Sequence, residues 1–293
     1  SGVLGSPLAA RPIECRPRSR ARYCLFELSP DPALTVITGV AKVSGRREGV
    51  SGDSFLMRRL AGGRYLMALG DGMGMGVKAA VESSFALSYL HRFLSMGQDL
   101  RAAMASLNSL LLLCFPGESF VSLDALVLDL HGGEAQLAKM GSPPTFLQRA
   151  CGAGGVEVIG DPGPPLGILE DPALVIHRPT LQIGDRIIAI TDGVLEGPPS
   201  LESPAAAPER EWRKADHPKL ADVLLDLGEK DPQEMAEGVL EFAVRRAGGC
   251  HDDTTVLVAE IRRRADAVPD AGPPGLGMAA PGRGMRPSRV RPG

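Results

Sequence analysis

Four short acidic segments of the sequence place aspartates beside small residues at the ends of apolar runs. Asp71 follows the run YLMALG in the segment LGDGMGMG, and Asp192 follows RIIAIT in TDG. Asp252 and Asp253 precede TTVLVAE, and Asp53 lies in VSGDSF before a further apolar run. Aspartate and glycine are common in ordinary turns, because aspartate accepts backbone hydrogen bonds and glycine adopts positive φ. Four such sites at strand ends nevertheless indicate a shared role.

Converging carboxylates suggest a chemistry for these turns. Several aspartates brought together by strand ends would repel one another unless cations neutralise them. Ligation by oxygen alone selects hard cations, so the pattern favours Mg²⁺ or Mn²⁺ over zinc. The glycines would let the backbone approach an ion, and the carbonyl oxygen of Gly72 is a further candidate ligand.

The glycine-rich stretch also fits a different function. Gly74, Gly76 and Ala79 match the G-x-G-x-x-A form of a dinucleotide-binding turn between a strand and a helix. Three observations oppose this interpretation. The following segment stays helical where a second strand with a ribose-binding acid is required, the sequence lacks βαβ alternation, and Asp71 would place negative charge beside the pyrophosphate. We therefore favour the cation site.

Short strand-like runs and two helical regions must position these turns. The predicted strands span 34–43, 64–70, 121–130, 134–141, 173–179, 185–191 and 256–261. Several of them are joined by short turn-rich segments such as HGG at 131–133, which is typical of antiparallel hairpins.

Helical periodicity completes the predicted architecture. The first helical region runs from about 77 to 115 with a break near Gly97. The second begins at Asp231, with Pro232 at its first position and Gly248 as its C-cap. Strands on both sides of paired helices predict an α+β fold, a β-sandwich of two antiparallel sheets flanked by helices on both faces.

The composition describes a globular chain of 293 residues without a strong electrostatic preference. A net charge of -3 gives no general field for nucleic acid or an anionic membrane. Five cysteines without CxxC spacing argue against a disulfide framework and favour a reducing cytosol. The apolar runs fall short of the roughly 20 residues of a membrane helix, and we see no signal peptide.

Both ends of the chain differ in composition from its centre. Residues 1–22 are rich in Pro, Arg and small residues, and are predicted to be a disordered tail or linker remnant. Residues 262–293 carry seven arginines among many Pro and Gly and are predicted to be a disordered tail. The span 23–261 is predicted to be one domain.

Taken in order, the acidic motifs resemble those of a known enzyme family. VSGDS, GDGMGMG, TDGVLEG and DDTTVLV resemble the metal-binding motifs of the PPM (type 2C) metal-dependent serine/threonine protein phosphatases. TGVAKV, MGSPPTFLQR and TDGVLEGP further resemble the phosphatase domain of the stage II sporulation protein E family. The resemblance covers about 23–261 and implies a PPM-type fold and a metal-dependent protein serine phosphatase.

The resemblance also implies a set of ligands for two Mn²⁺ or Mg²⁺ ions. Carried over by motif, Asp71 would bridge both ions and the Gly72 carbonyl would bind one of them. Asp192 and Asp252 would hold the other ion, and Asp53 would bind directly or through water. Asp71 and Asp192 would serve catalysis by holding ions that activate a water for attack on phosphoserine, without a protein nucleophile.

Three further residues lie close to these motifs. Asp253 stands where many relatives have Asn, and is expected to support the ligands rather than bind an ion. His251 could protonate a leaving serine oxygen, although we favour an ordinary loop histidine. Met75 replaces a polar residue, often Asn, of the sporulation phosphatases, and is expected to tune activity without loss of the metal site.

The resemblance finally implies a partner and a setting. The substrate would be a phosphoserine anti-anti-sigma factor in sporulation sigma-factor control, in the cytoplasm. The chain would be either the cytosolic part of a membrane protein or a soluble relative. The chain could also form a homodimer. The helices at 77–93 and 100–115 would either regulate activity or only cover one sheet. The alternative function is a non-catalytic PPM-fold regulatory or scaffold module. Retention of the core aspartates favours the enzyme.

Overall fold

The structure is a computed structural model that describes residues 8–16, 23–45, 49–115, 117, 119–150, 155–160, 163–195 and 217–264. Its strands are β1 (Leu8–Arg16), β2 (Tyr23–Pro30), β3 (Leu34–Val43), β4 (Asp53–Leu60), β5 (Arg64–Gly72), β6 (Val121–Asp129), β7 (Ala135–Met140), β8 (Thr145–Gln148), β9 (Val156–Ile159), β10 (Ile176–His177), β11 (Arg186–Ile190) and β12 (Thr254–Arg263). Its helices are α1 (Val77–Ser95), α2 (Leu100–Cys114), α3 (His217–Asp226) and α4 (Pro232–Ala247), and a 3₁₀ turn spans Asp192–Val194.

Two five-stranded sheets form the body of the molecule. Sheet A has the strand order β10-β7-β6-β5-β4, and sheet B has the order β3-β12-β11-β8-β9. Every strand pair within the two sheets is antiparallel. Their inner faces share a core of Leu, Ile, Met and Ala side chains, among them Leu69, Leu126 and Ile187. This arrangement confirms the predicted sandwich of two antiparallel sheets.

Helices cover both outer faces of the sandwich. Helices α1 and α2 bury Leu87, Leu90 and Met104 against the outer face of sheet A. Helices α3 and α4 bury Leu224 and Met235 against the outer face of sheet B. The predicted layering, with helices on both faces, is therefore confirmed.

Local signals account for the helix ends. The Asp231 carboxylate accepts a hydrogen bond from the backbone N–H of Glu234 at 2.9 Å, and α4 ends at Gly248 in the left-handed conformation with φ 70°. The break between α1 and α2 contains Gly97 at φ 93°, and the Asp99 carboxylate caps α2. These ends confirm the helix limits expected from the sequence. No described helix is both long and apolar enough to cross a bilayer.

The N-terminal region differs from its predicted disorder. Residues 8–16 form β1, which pairs with β2 in a separate two-stranded sheet. Pro12 lies at a register shift of this pair, where the missing proline N–H is tolerated. Cys24 is disulfide-bonded, contrary to the expectation from cysteine spacing, and Cys15 lies opposite it in the register. Residues 1–7, 17–22 and 265–293 lie outside the described part, so the rest of the predicted tails stays a prediction.

Several of the other differences from the predicted elements involve short strands. Strands β8 and β9 have four residues each, too few for a clear alternation of apolar and polar positions. The strand predicted at 173–179 is reduced to β10 at Ile176–His177, and β12 continues to Arg263, two residues past the predicted domain limit. Helix α3 was not predicted.

Candidate active site

The first two predicted ligands lie on neighbouring strands of sheet A. Asp53 begins β4 and Asp71 lies near the end of β5, and the register places them directly opposite each other. Opposed residues of an antiparallel pair share one face of the sheet, where like charges destabilise the pairing. The side chains of Asp53 and Asp71 therefore lie on the same face at this end of sheet A.

The other predicted ligands arrive from sheet B. Asp192 begins the 3₁₀ turn directly after β11, and Asp252 lies just before β12. Because β11 and β12 are antiparallel partners, both turns lie at the same end of sheet B. A Cβ atom added to Gly193 would lie 2.5 Å from the carbonyl oxygen of Asp253, so the two turns are in close contact.

Two threonine hydroxyls join these ends of the sheets. Thr191 Oγ1 donates to Asp53 Oδ2 at 3.1 Å, and Thr255 Oγ1 donates to the same oxygen at 2.6 Å. All four acidic turns therefore lie at one end of the sandwich. Within the described ranges, however, no three Asp, Glu, His or Cys side chains are grouped closely enough to hold one ion.

Asp53 is a deeply buried acid with an incomplete set of partners. Its residue is 1% exposed, and its Oδ1 atom accepts no hydrogen bond from the described residues. Burial raises the pKa of Asp53 from 3.8 to about 6, while the Thr255 hydrogen bond and the Lys42 ammonium oppose that rise. A buried carboxylate oxygen without a donor, beside a second carboxylate, fits a divalent cation that prefers oxygen ligands.

The glycine turn connects this site directly to α1. The Gly72 N–H donates to the Gly52 carbonyl at 3.4 Å. A Cβ atom at Gly72 would lie 2.1 Å from the carbonyl oxygen of Ala79 in α1, so only glycine fits there. Gly74 and Gly76 adopt φ of 82° and 92°. The glycines therefore serve a close turn from β5 into α1.

Asp253 ties together two loops around the site. Its Oδ1 accepts the Gly45 N–H at 2.9 Å, and its Oδ2 accepts the Gly52 N–H at 2.6 Å. The side chain is buried, and Gly52 also accepts a hydrogen bond from Ser83 of α1 through its carbonyl at 2.6 Å. Both oxygens of Asp253 therefore have backbone partners.

Sequence reasoning did not identify three of the residues around Asp53. Lys42 Nζ donates to the Asp53 carbonyl at 2.7 Å, and burial lowers the pKa of this lysine while Asp53 and Asp253 raise it. Thr191 and Thr255 were detectable as the threonines of TDG and DDTT. Lys42 had no local signal, because only its register opposite Thr255 brings it here.

His251 lies at the edge of the same region. One of its ring nitrogens is 3.1 Å from the Ala247 carbonyl at the end of α4. A contact of this kind with a free helix carbonyl gives the ring a structural partner.

Comparison with known proteins identifies the family of the chain. The family profile described as "Stage II sporulation protein E (SpoIIE)" matches residues 61–262. The chain is 33% identical over 261 residues to stage II sporulation protein E of Priestia megaterium, which covers 89% of this chain and 42% of that protein. It is 32% identical over 227 residues to the protein of the same name from Bacillus subtilis (strain 168), over 77% of this chain and 26% of that protein. The chain thus spans less than half the length of these relatives.

A solved structure shares the fold as well. The PP2C phosphatase domain of SpoIIE from Bacillus subtilis, determined with a fragment of its regulatory domain, is similar at a TM-score of 0.69 and 28% identity. The match covers 88% of this chain and 72% of that one. PPM phosphatases depend on metal ions such as Mn²⁺ and Mg²⁺. With its acidic turns gathered at one end of the sandwich, the chain belongs to the stage II sporulation protein E family, as a PPM-type protein phosphatase domain.

Proposed function

We propose that the chain hydrolyses phosphoserine on a protein substrate with the help of two Mn²⁺ or Mg²⁺ ions. The observation that carries this proposal is the opposed pair of Asp53 and Asp71, with one buried Asp53 oxygen lacking a hydrogen-bond donor. Like charges directly opposite each other weaken an antiparallel strand pair. A bound cation would remove that repulsion.

The ligand assignment in this proposal follows the motifs of the family. Asp71, the Gly72 carbonyl, Asp192 and Asp252 would hold the ions, and Asp53 would bind directly or through water. The site offers only oxygen ligands, which suits Mg²⁺ and Mn²⁺. When bound, such a pair of ions lowers the pKa of a shared water and screens the phosphate charge during in-line attack.

The chain's own residues would hold that arrangement in place. Asp253 fixes the loops at Gly45 and Gly52 through its two backbone hydrogen bonds. The short turn at Gly72 keeps Asp71 next to α1. Proximity of α1 to the site is what would let movement of this helix regulate activity. His251 has no acid role in this proposal, and one of its ring nitrogens contacts the end of α4.

The proposed substrate is a phosphoserine anti-anti-sigma protein, and the proposed location is the cytoplasm. Support for both comes from the family, whose named members are stage II sporulation proteins. A homodimer and a fusion to further segments in the full-length protein are also part of this proposal.

A phosphate-release assay tests the proposed function. Wild type, Asp71→Asn and the exposed control Asp222→Asn would be compared with Mn²⁺ or Mg²⁺ on a phosphorylated anti-anti-sigma protein and on an unrelated phosphoserine peptide. Loss of metal-held catalysis is worth several kcal/mol, so we expect D71N to be slower by about 10²–10³-fold. D222N should match wild type. Equal phosphate release by wild type and D71N would contradict the proposal, and no release by wild type would favour the scaffold alternative.

A further inference from the structure

Asp53 is held by two hydroxyl groups that belong to the opposite sheet. Thr191 follows β11 and Thr255 lies in β12, whereas Asp53 begins β4. Thr191 is 138 residues away along the chain and Thr255 is 202 residues away. The hydrogen bonds to Asp53 can therefore form only when sheets A and B are closed on each other at this end.

Both hydroxyls donate to the same carboxylate oxygen. Oδ2 of Asp53 accepts from Thr255 at 2.6 Å and from Thr191 at 3.1 Å, whereas Oδ1 has no donor among the described residues. Rotation of the carboxylate would break both bonds together. Oδ1 is therefore the oxygen that remains for a ligand.

The two threonines are themselves held rigidly. The Thr255 N–H donates to Thr191 Oγ1 at 2.8 Å, and the Thr191 N–H donates to the Thr255 carbonyl at 3.0 Å. Both residues are buried, and branching at Cβ restricts their side-chain rotation. The hydroxyl positions are thus set by the backbone of sheet B before any ion binds.

We propose that Thr191 and Thr255 are positioning residues that reserve the Oδ1 atom of Asp53 for a divalent cation. Full cation affinity then requires sheet B to be seated on sheet A at this end. This inference rests on the proposed function, since it assumes that Asp53 belongs to the cation site. Outer partners that orient a ligand contribute measurably to metal affinity.

Substitution of Thr255 gives the sharper test. Among the described residues its hydroxyl bonds only to Asp53, whereas Thr191 Oγ1 also accepts the Thr255 N–H. Thr255→Val keeps the shape and removes the hydroxyl, and Thr255→Ser keeps the hydroxyl. The dissociation constant of Mn²⁺ would be measured by calorimetric titration without substrate. We expect T255V to bind about 10–100-fold more weakly than wild type and T255S within about threefold of it.

A control variant separates this effect from the loss of any buried hydroxyl. Thr35 lies near the start of β3, whereas the residue of β3 that pairs with Thr255 is Lys42, near its end. Thr35 accepts a hydrogen bond from Arg59. Thr35→Val should leave Mn²⁺ affinity unchanged. If T255V does not fold, the pair Thr255→Ala and Thr255→Ser gives the same comparison of side chains with and without the hydroxyl.

The outcomes separate this inference from the proposed function. Mn²⁺ binding by T255V as tight as by wild type would overturn the role of Thr255, and so would a T255S as weak as T255V. Asp71→Asn in the same titration reports on the site itself. A wild type that does not bind Mn²⁺, or a D71N that binds as wild type does, would overturn the assigned site and the threonine inference with it.

Discussion

Two buried aspartates on the inner face of sheet A have opposite surroundings. Asp124 in β6 accepts two hydrogen bonds from Lys139, at 2.5 and 2.7 Å, with others from Ser142 at 2.5 Å and Thr145 at 2.9 Å. Among the described residues, the Asp53 carboxylate accepts only from two threonine hydroxyls, and its Oδ1 has no donor. Asp124 forms a direct ion pair with Lys139, whereas the Lys42 ammonium donates to the backbone carbonyl of Asp53.

The positions of the two acids make this difference informative. Asp124 lies opposite Leu69, two residues from Asp71 along β5, and Asp71 lies opposite Asp53. The two carboxylates therefore occupy adjacent rows of the same face. Lys139 and Thr145 complete the Asp124 cluster, and Thr145 comes from sheet B. The Asp124 row therefore joins the two sheets through a neutralised carboxylate, whereas the Asp53 row joins them through threonine hydroxyls and leaves Oδ1 of Asp53 without a donor among the described residues.

Neutralisation of Asp124 should give the largest change in stability. Asp124→Asn leaves the Lys139 ammonium, 1% exposed, without its counter-ion. Removal of one partner from a buried ion pair costs about 3–5 kcal/mol, and we expect a fall of that size in the free energy of unfolding, measured with urea. The exposed Asp222→Asn should change it little. A loss below about 1 kcal/mol would contradict the structural role of the pair.

Asp53→Asn should have the opposite effect on the free energy of unfolding of the metal-free protein. The pKa of Asp53 is raised from 3.8 to about 6, so this group favours the folded state most below pH 3.8 and loses that contribution as pH rises through about 6. At pH 7, Asp53→Asn should therefore stabilise the metal-free chain by about 1–3 kcal/mol.

Unfolding with urea at pH 4 to 8, with a chelator present, tests this sign. Wild type should lose stability relative to D53N across that interval, and added Mn²⁺ should stabilise wild type more than D53N. A D53N protein less stable than wild type at pH 7 without metal would show that Asp53 has a structural partner like that of Asp124.

Substitution of a third carboxylate near the site, that of Asp253, should change the free energy of unfolding by an intermediate amount. Asp253 uses its two oxygens to accept the Gly45 and Gly52 N–H groups. Asparagine has one acceptor oxygen, so Asp253→Asn leaves one buried N–H without a partner and should cost about 1–3 kcal/mol of unfolding free energy. The measurement is thermal unfolding beside D53N. An unchanged midpoint would show that the loops do not depend on both bonds.

Met75 should show the smallest effect. Its side chain is 41% exposed on the glycine turn beyond Asp71, so Met75→Asn should change the free energy of unfolding by no more than about 0.5 kcal/mol. Mn²⁺ affinity should stay at the wild-type value, and only the rate of phosphate release should change. A large loss of Mn²⁺ affinity would place Met75 within the site's support.

Parts of this arrangement follow from short stretches of sequence. The strand limits of β3, the capping of α4 by Asp231 and Gly248, and the break at Gly97 depend on neighbouring residues, and all three agree with the prediction. The hairpin of β1 and β2 was not predicted, because composition alone does not reveal that a Pro- and Arg-rich segment pairs with the following strand. Strands β8 and β9 escaped prediction because four residues carry too little periodicity.

The sequence by itself determined the sandwich class, the four acidic turns and the family, since these depend on local periodicity and on motifs in order. Only the tertiary structure decided that Asp53 opposes Asp71, that Thr191 and Thr255 bind one oxygen of Asp53, and that Lys139 neutralises Asp124. The physical reason is that strand register and sheet closure bring together residues that are distant along the chain, such as Asp53 and Thr255, which are 202 positions apart. Whether a buried charge meets a protein donor or a cation depends on those contacts.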